Sequence, residues 1–235
     1  MIRIALVVGS TRPGRRGTAV ARWALDTAAA SPAVAGGRAS IDILNVADFD
    51  LPLLDEPVPA VAGGRASIDI LNVADFDLPL LDEPVPAAFG AYAQSHTRRW
   101  SQAVAAFDAF VFVTPEYNHS FPAPLKNALD YLYAEWQHKA AGFVGYGTSG
   151  GIRAVEQLRQ VMGELKVADV PTQVALSMFT DFTFTDPTDP TDPGTCTPAP
   201  HHAETLTRML EEIIAWSAAL APLRTSGQGL IGLPR

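Results

Sequence analysis

The chain has 235 residues, 48% of them hydrophobic and 18% charged, with a formal net charge of −8. That length and composition suit one sizeable α/β domain with its own core, and the acidic balance excludes bulk attraction to nucleic acid or to an anionic membrane. A lone cysteine, Cys196, excludes an intrachain disulfide framework, and no apolar stretch is long enough to span a bilayer, so a cytoplasmic location is expected.

Residues 2–9 (IRIALVVG) form an apolar run that predicts a buried strand, and residues 19–30 predict a helix. Between them lies GSTRPGRRGT, residues 9–18. A strand, a short Gly/Ser/Thr/Arg loop and a helix start make an anion site, because the first helical N–H groups lack partners and the helix dipole favours negative charge there. Arg12, Arg15 and Arg16 add cationic forks suited to phosphate. No Gly-Lys-Ser/Thr follows, so the loop is not a Walker A sequence, and Gly9, Gly14 and Gly17 have the wrong spacing for a dinucleotide fingerprint. A solvated basic loop is the alternative reading of this segment alone.

Residues 32–60 and 59–87 are identical, offset by 27. Solenoids need three or more units; two flawless copies in a non-repeating chain mark a recent or engineered duplication. Each copy carries a strand candidate, residues 41–46 or 68–73, and an acidic, proline-rich connection, residues 48–59 or 75–86. One copy is expected to fill an edge-strand position. The other is expected to lie outside the core as an added strand, a bulging loop or a strand exchanged with a neighbouring subunit.

Residues 88–107 have apolar positions at helical spacing and predict a helix. Residues 109–114 predict a strand buried on both faces, followed by the turn and helix of TPEYNHSFPAPLKNALD, residues 114–130. A loop at the carboxyl end of a parallel strand is where open α/β sheets bind ligands. This one offers Pro115, Glu116, Tyr117, Asn118 and His119: an aromatic face, an amide and backbone N–H groups for a flat ring with a polar edge. A helix over 124–133, a strand over 141–146, the loop GTSGG (147–151), a helix over 149–165 and a strand over 173–178 follow. In GTSGG, small residues allow close backbone approach to a ring, and Ser149 could equally cap the next helix. Residues 182–200 place Pro at every third position of TDPTDPTDP and predict an exposed loop. A helix over 202–219 and a tail from 225 to 235 close the chain. Five strands interleaved with helices predict a doubly wound, five-stranded parallel sheet in one domain, residues 1–222, with residues 223–235 as a C-terminal tail.

The segment TPEYNHSFPAPLKNALD, with GSTRPGRRGT upstream, resembles the NAD(P)H-dependent FMN reductase family, a flavodoxin-like family that includes quinone, azo-dye and chromate reductases. The resemblance covers roughly residues 1–31 and 66–180 and implies the strand order 2-1-3-4-5. It implies that Ser10, Thr11, Arg12, Arg15, Gly17 and Thr18 hold the FMN phosphate. Pro115, Glu116, Tyr117, Asn118 and His119 would border the ring, with Ser149, Gly150 and Gly151 beside it. It further implies hydride transfer from NADPH or NADH to FMN and onward to a small-molecule electron acceptor, with no obligatory catalytic side chain and no metal. A homodimer or homotetramer is implied as well, with Lys126 and Asn127 near a partner subunit. A flavodoxin-type electron carrier is the second reading.

Other candidates read as ordinary. Arg153 could meet nucleotide phosphates but suits a helix surface; the His201-His202 pair has no ligand shell beside it in sequence. Cys196 has no basic neighbour to activate it, and no G-x-S-x-G elbow is present.

Overall fold

The computed structural model describes residues 1–12, 14–40, 69–76, 78–186, 188–189 and 192–225. Its centre is a run of parallel strands: β1 (Ile2–Val8), β4 (Ala109–Pro115), β5 (Ala140–Gly147) and β6 (Ala168–Ser177). Two short strands, β2 (Ala39–Ser40) and β3 (Asp69–Asn72), both pair in parallel with the outer side of β1. The order is β2-β1-β4-β5-β6, with β3 also on β1.

Alternation along the strands sorts the core into two layers. Ile4, Leu6 and Val8 of β1 and Val111 and Val113 of β4 meet α1 (Gly17–Ala29), α2 (Pro32–Ala35) and α6 (Pro200–Thr225). Ala5, Val7, Phe110 and Phe112 meet α3 (Ser95–Ala105), α4 (Ala123–Asp130) and α5 (Ile152–Glu164). Burial on both faces explains why β4 reads as an unbroken apolar run. The second layer is aromatic, and its two fully buried tryptophans keep their indole N–H groups satisfied. Trp100 Nε1 donates to the Ala128 carbonyl at 2.8 Å and Trp136 Nε1 to that of Leu129 at 3.1 Å.

The duplicated region meets the sheet in a way that local sequence did not foretell. The strand candidate at 41–46 lies outside the described residues, and the one at 68–73 yields β3. One copy was expected to fill the edge, with an added edge strand among the alternatives for the other; β2 comes from the first copy and β3 from the second. Ile2 pairs with Ala39 and Arg3 with Ser40, an offset of 37 residues; Ala5 pairs with Asp69 and Val8 with Asn72, an offset of 64. The two offsets differ by the 27-residue repeat period. Both pieces therefore occupy the register that a single uninterrupted copy would have.

Two other elements depart from expectation. The helix expected over 88–107 begins only at Ser95. Residues Ala87–Phe89 make a single 3-10 turn that Gly90 stops in a left-handed conformation, and the Glu83 carboxylate accepts the N–H groups of Ala93 and Gln94 at 2.8 and 3.0 Å. The Asn127 side chain donates to the Pro79 carbonyl and accepts from the Leu81 N–H, and Lys126 pairs with Asp130 one turn away. The proline-rich segment is partly folded. β7 (Phe182–Thr183) and β8 (Thr195–Cys196) pair antiparallel, and Phe182 is buried in the α1/α6 layer. Prolines prevent a longer ladder, but the aspartates fold the tip locally by accepting neighbouring N–H groups, Asp186 from Thr188 and Asp192 from Thr185, Asp186 and Gly194. Among the described residues no helix is long and apolar enough to cross a membrane.

Lys139 is a buried cation at the amino end of β5, only 6% exposed, with its Nζ donating to the Val104 carbonyl at the end of α3 at 2.9 Å. Burial pushes its pKa down to about 8; Arg224 acts the same way, and Asp108 and Glu135 oppose it. A lysine whose folded pKa lies below its unfolded value costs stability while charged, so the cost is complete below about pH 8 and is relieved towards about pH 10.5. Urea titrations of wild type and Lys139→Met should show a constant difference below that window. Across it, the difference should then shift in favour of wild type by about 3 kcal/mol.

Deleting residues 42–68 should join the two pieces of edge strand without changing their register. The shortened chain should keep its far-ultraviolet circular dichroism and gain on the order of 2–3 kcal/mol in urea unfolding, the closure entropy of the deleted connection. A chain that loses its fold on this deletion shows that the register coincidence has no structural meaning.

Candidate flavin site

β1 and β4 run side by side up to Val8 and Val113. The Gly9 N–H donates to the Val113 carbonyl at 3.0 Å, so the two chains leave the sheet next to each other. Close approach demands glycine here, because a Cβ on Gly9 would lie 2.7 Å from Leu125 Cδ2 of α4. After β1 the chain turns through residues 10–16, where the Arg15 N–H bonds the Arg12 carbonyl at 3.1 Å, and enters α1 at Gly17. α1 starts with no side-chain cap and no acidic residue in its first turn. Its free N–H groups are therefore open to an anion. The Nε atoms of Arg15 and Arg16 are buried and have no hydrogen-bond partner among the described residues. Such donors are costly unless something else accepts from them.

After β4, Tyr117 and Ser120 exchange backbone hydrogen bonds of 2.8 and 3.0 Å across Asn118 and His119, whose φ values are 49° and 70°. Two successive left-handed residues make a tight hairpin turn, which Asn tolerates well. The Glu116 N–H is taken by the Tyr146 carbonyl and the Tyr117 N–H by that of Ser120, so these two expected donors are committed to the fold. Those of Asn118 and His119 remain at the tip.

Glu116 fastens this turn to α5. Its carboxylate accepts from the Arg153 backbone N–H at 3.1 Å and from Arg153 Nε at 2.6 Å. Burial opposes its ionisation, but the Arg153 side chain and backbone outweigh burial and hold the carboxyl below the usual range. Arg153 also reaches His119 Nε2 at 2.8 Å and Ser149 Oγ at 3.4 Å. It is neither a plain surface arginine nor a free cation for a nucleotide.

The two turns share one cavity of about 520 Å³, within the range of about 300–1,000 Å³ usual for cofactor-sized ligands. Arg12, Gly14, Arg15 and Arg16 line one side and Pro115, Glu116 and Tyr117 another. Tyr146, Gly147 and Thr148 come from the end of β5, Met178 from the end of β6 and Asp192 from the proline-rich hairpin. The hydroxyls of Ser10 and Tyr117 lie 3.3 Å apart, a direct side-chain link between segments 107 residues apart in sequence.

Of the expected site residues, the cavity thus gathers Arg12, Arg15, Pro115, Glu116 and Tyr117, with Ser10 behind Tyr117. Gly17 lies beneath, where the lack of a side chain lets the Tyr146 hydroxyl approach; a Cβ would sit 3.0 Å from it. Thr11 faces a neighbouring cavity of about 480 Å³ shared with Leu78, Leu80 and Asn127. Thr18, Asn118 and His119 are exposed, and Ser149, Gly150 and Gly151 stand behind Gly147 and Thr148 rather than on the cavity wall. Tyr146 and Met178 were missed, although both sit at carboxyl ends of strands, where such sheets bind ligands. Asp192 gave no signal, since its position depends on how the hairpin folds back. Cys196 is inert: burial, aided by Asp181, pushes its thiol up to about 12. His202 has left the solvent to meet Asp181, with its Nε2 3.2 Å from Oδ1.

A doubly wound parallel sheet with this cavity at its carboxyl edge defines a flavodoxin-like α/β protein. A sequence model of the NADPH-dependent FMN reductases matches residues 2–63 and 58–181, meeting inside the duplication and ending just before the proline-rich hairpin. An NAD(P)H-dependent FMN reductase of Nectria sp. is 37% identical over 179 residues, 75% of each chain. One from Saccharomyces cerevisiae is 53% identical over 76 residues, 32% of this chain and 40% of that one. The flavoenzyme NAD(P)H:(acceptor) oxidoreductase of Paracoccus denitrificans shares the fold, with a TM-score of 0.60, 18% identity and coverage of 93% of this chain and 98% of that one. The chain belongs to the NADPH-dependent FMN reductase family, and is an oxidoreductase that uses FMN with NAD(P)H.

Gly151 tests how tightly this wall is built. It caps α5 at φ 70°, and a Cβ there would lie 2.6 Å from the Tyr146 backbone nitrogen. Gly151→Ala combines left-handed strain with a backbone clash, and should cost about 2–4 kcal/mol in urea unfolding while weakening flavin binding.

Proposed function

We propose that this cavity seats FMN with its phosphate at the bare start of α1, held by Arg12, Arg15 and Arg16, and with its ring against Pro115, Tyr117 and Thr148. The observation that carries the reading is the pair of buried arginine Nε atoms, without a hydrogen-bond partner among the described residues, in the same cavity as Tyr117. Paired guanidinium donors and a helix start suit a phosphate dianion, and an aromatic face with small-residue backbone suits a flat ring. When bound, FMN supplies the redox chemistry, accepting a hydride from NAD(P)H and passing two electrons to an acceptor. The protein's part is to bind and orient: Glu116 and Arg153 fix the turn, and Ser10 holds the Tyr117 hydroxyl. No side chain is assigned a proton-transfer step.

The acceptor is a flavin, a quinone or a similar small molecule, in line with the quinone oxidoreductase of Solanum tuberosum and the azoreductase of a Bacillus strain, 45% and 37% identical over short segments. β2 and β3 act as one interrupted second strand of a 2-1-3-4-5 sheet, a reading supported by their common register with β1. Residues 1–222 form one domain, which works as a homodimer or homotetramer in the cytoplasm.

The purified protein should be yellow, and anaerobic NADPH or NADH should bleach it within one mixing experiment; colour without bleaching supports an electron carrier instead. Arg15→Ala should raise the Kd for FMN at least tenfold, the scale of one lost charge-assisted hydrogen bond, and should flatten its dependence on salt.

A further inference from the structure

The hairpin from β7 to β8 begins where the family match ends, yet it reaches the phosphate side of the cavity. There it contacts Arg16. The Arg16 Nη2 donates to the Asp192 carbonyl at 2.9 Å, and the guanidinium carbon stands 5.2 Å over the Phe184 ring. A guanidinium stacked on an aromatic face and tied by one edge loses most of its rotamers. Its Nε is buried and unpartnered among the described residues, so the remaining donor edge is still available.

The hairpin itself is braced at both ends. At the tip, the Asp192 carboxylate accepts from Thr185 and Asp186 at 2.7 and 3.0 Å and from Gly194 at 2.8 Å, which fixes the carbonyl that Arg16 uses. At the base, buried Asp181 accepts from the Ser177 and Ala199 N–H groups and from Thr180 Oγ1, while its own carbonyl accepts from Thr197. Phe182 and Phe184 stack with their centroids 6.4 Å apart and rest on the α1/α6 core.

We propose that this hairpin is a clamp that pre-sets Arg16 for the flavin phosphate, with Phe184 and Asp192 as positioning residues that favour FMN over its unphosphorylated counterpart riboflavin. The inference rests on the cavity being the flavin site. Without the clamp, Arg16 is a mobile surface cation that must be ordered each time the phosphate binds, and that entropy is subtracted from affinity. The clamp acts on the phosphate end alone, because the ring side of the cavity is built by the β4 and β5 turns.

The test is fluorescence titration of flavin-free wild type, Phe184→Leu, Asp192→Ala and Arg16→Gln with FMN and with riboflavin. Phe184→Leu keeps apolar bulk in the core and guards against the simple failure of Asp192→Ala to fold. Each hairpin variant should raise the Kd for FMN about tenfold, leave that for riboflavin within about twofold, and add nothing further when combined with Arg16→Gln. Equal losses for both flavins, or effects that add to those of Arg16→Gln, overturn the clamp. A wild type that binds neither flavin overturns the cofactor reading itself, and the clamp with it.

Discussion

Everything functional in this molecule hangs on the parallel pairing of β1 with β4, from Ile4 opposite Ala109 to Val8 opposite Val113. The two strands are more than a hundred residues apart in sequence, and their union brings the turns after Gly9 and Thr114 to one place. From this seam the chain proceeds in opposite directions, to β2 and β3 on one side and to β5 and β6 on the other. Turns that part this way leave a crevice at the carboxyl edge of the sheet, the usual ligand position in open α/β folds. The Gly9–Val113 hydrogen bond and the Ser10–Tyr117 contact continue the seam into the site.

The same geometry explains why a 27-residue duplication coexists with an intact seam. The described strands of the repeat, β2 and β3, pair with the side of β1 away from β4, so the central pairing does not depend on which copy supplies the edge. Because the two copies are identical, Ala39–Ser40 of the first and Asp69–Asn72 of the second keep one common register on β1. Farther along the second copy, Asn127 and Tyr131 bond the Pro79 carbonyl and Glu83 accepts from Ala93, which ties residues 78–86 to the body of the protein.

At the far edge of the cavity, the proline-rich hairpin shows how a segment with poor local propensity can still be ordered. Its described ladder is only two residues a side, as a proline-rich composition leads one to expect. Its aspartates and threonines supply local hydrogen bonds, and its two phenylalanines anchor it to the core. Composition registers the first of these facts plainly; the second and third depend on what the chain folds against.

The sequence by itself determined the alternating α/β pattern, the buried central strands, the anion-binding layout at Arg12 and Arg15 and the family, because each is written in local runs: apolar periodicity, a glycine- and arginine-rich turn, the PEYN turn. It misjudged the helix over 88–107, where periodicity persisted but Gly90 and the distant Glu83 carboxylate set the true start at Ser95. Only the tertiary structure decided that Arg153 serves Glu116, that Asn127 bonds its own chain, that both repeat copies feed the edge, and that Tyr146, Met178 and Asp192 border the cavity. Those outcomes are contacts between groups far apart in sequence, and their energies exist only once β1 and β4 have closed the sheet.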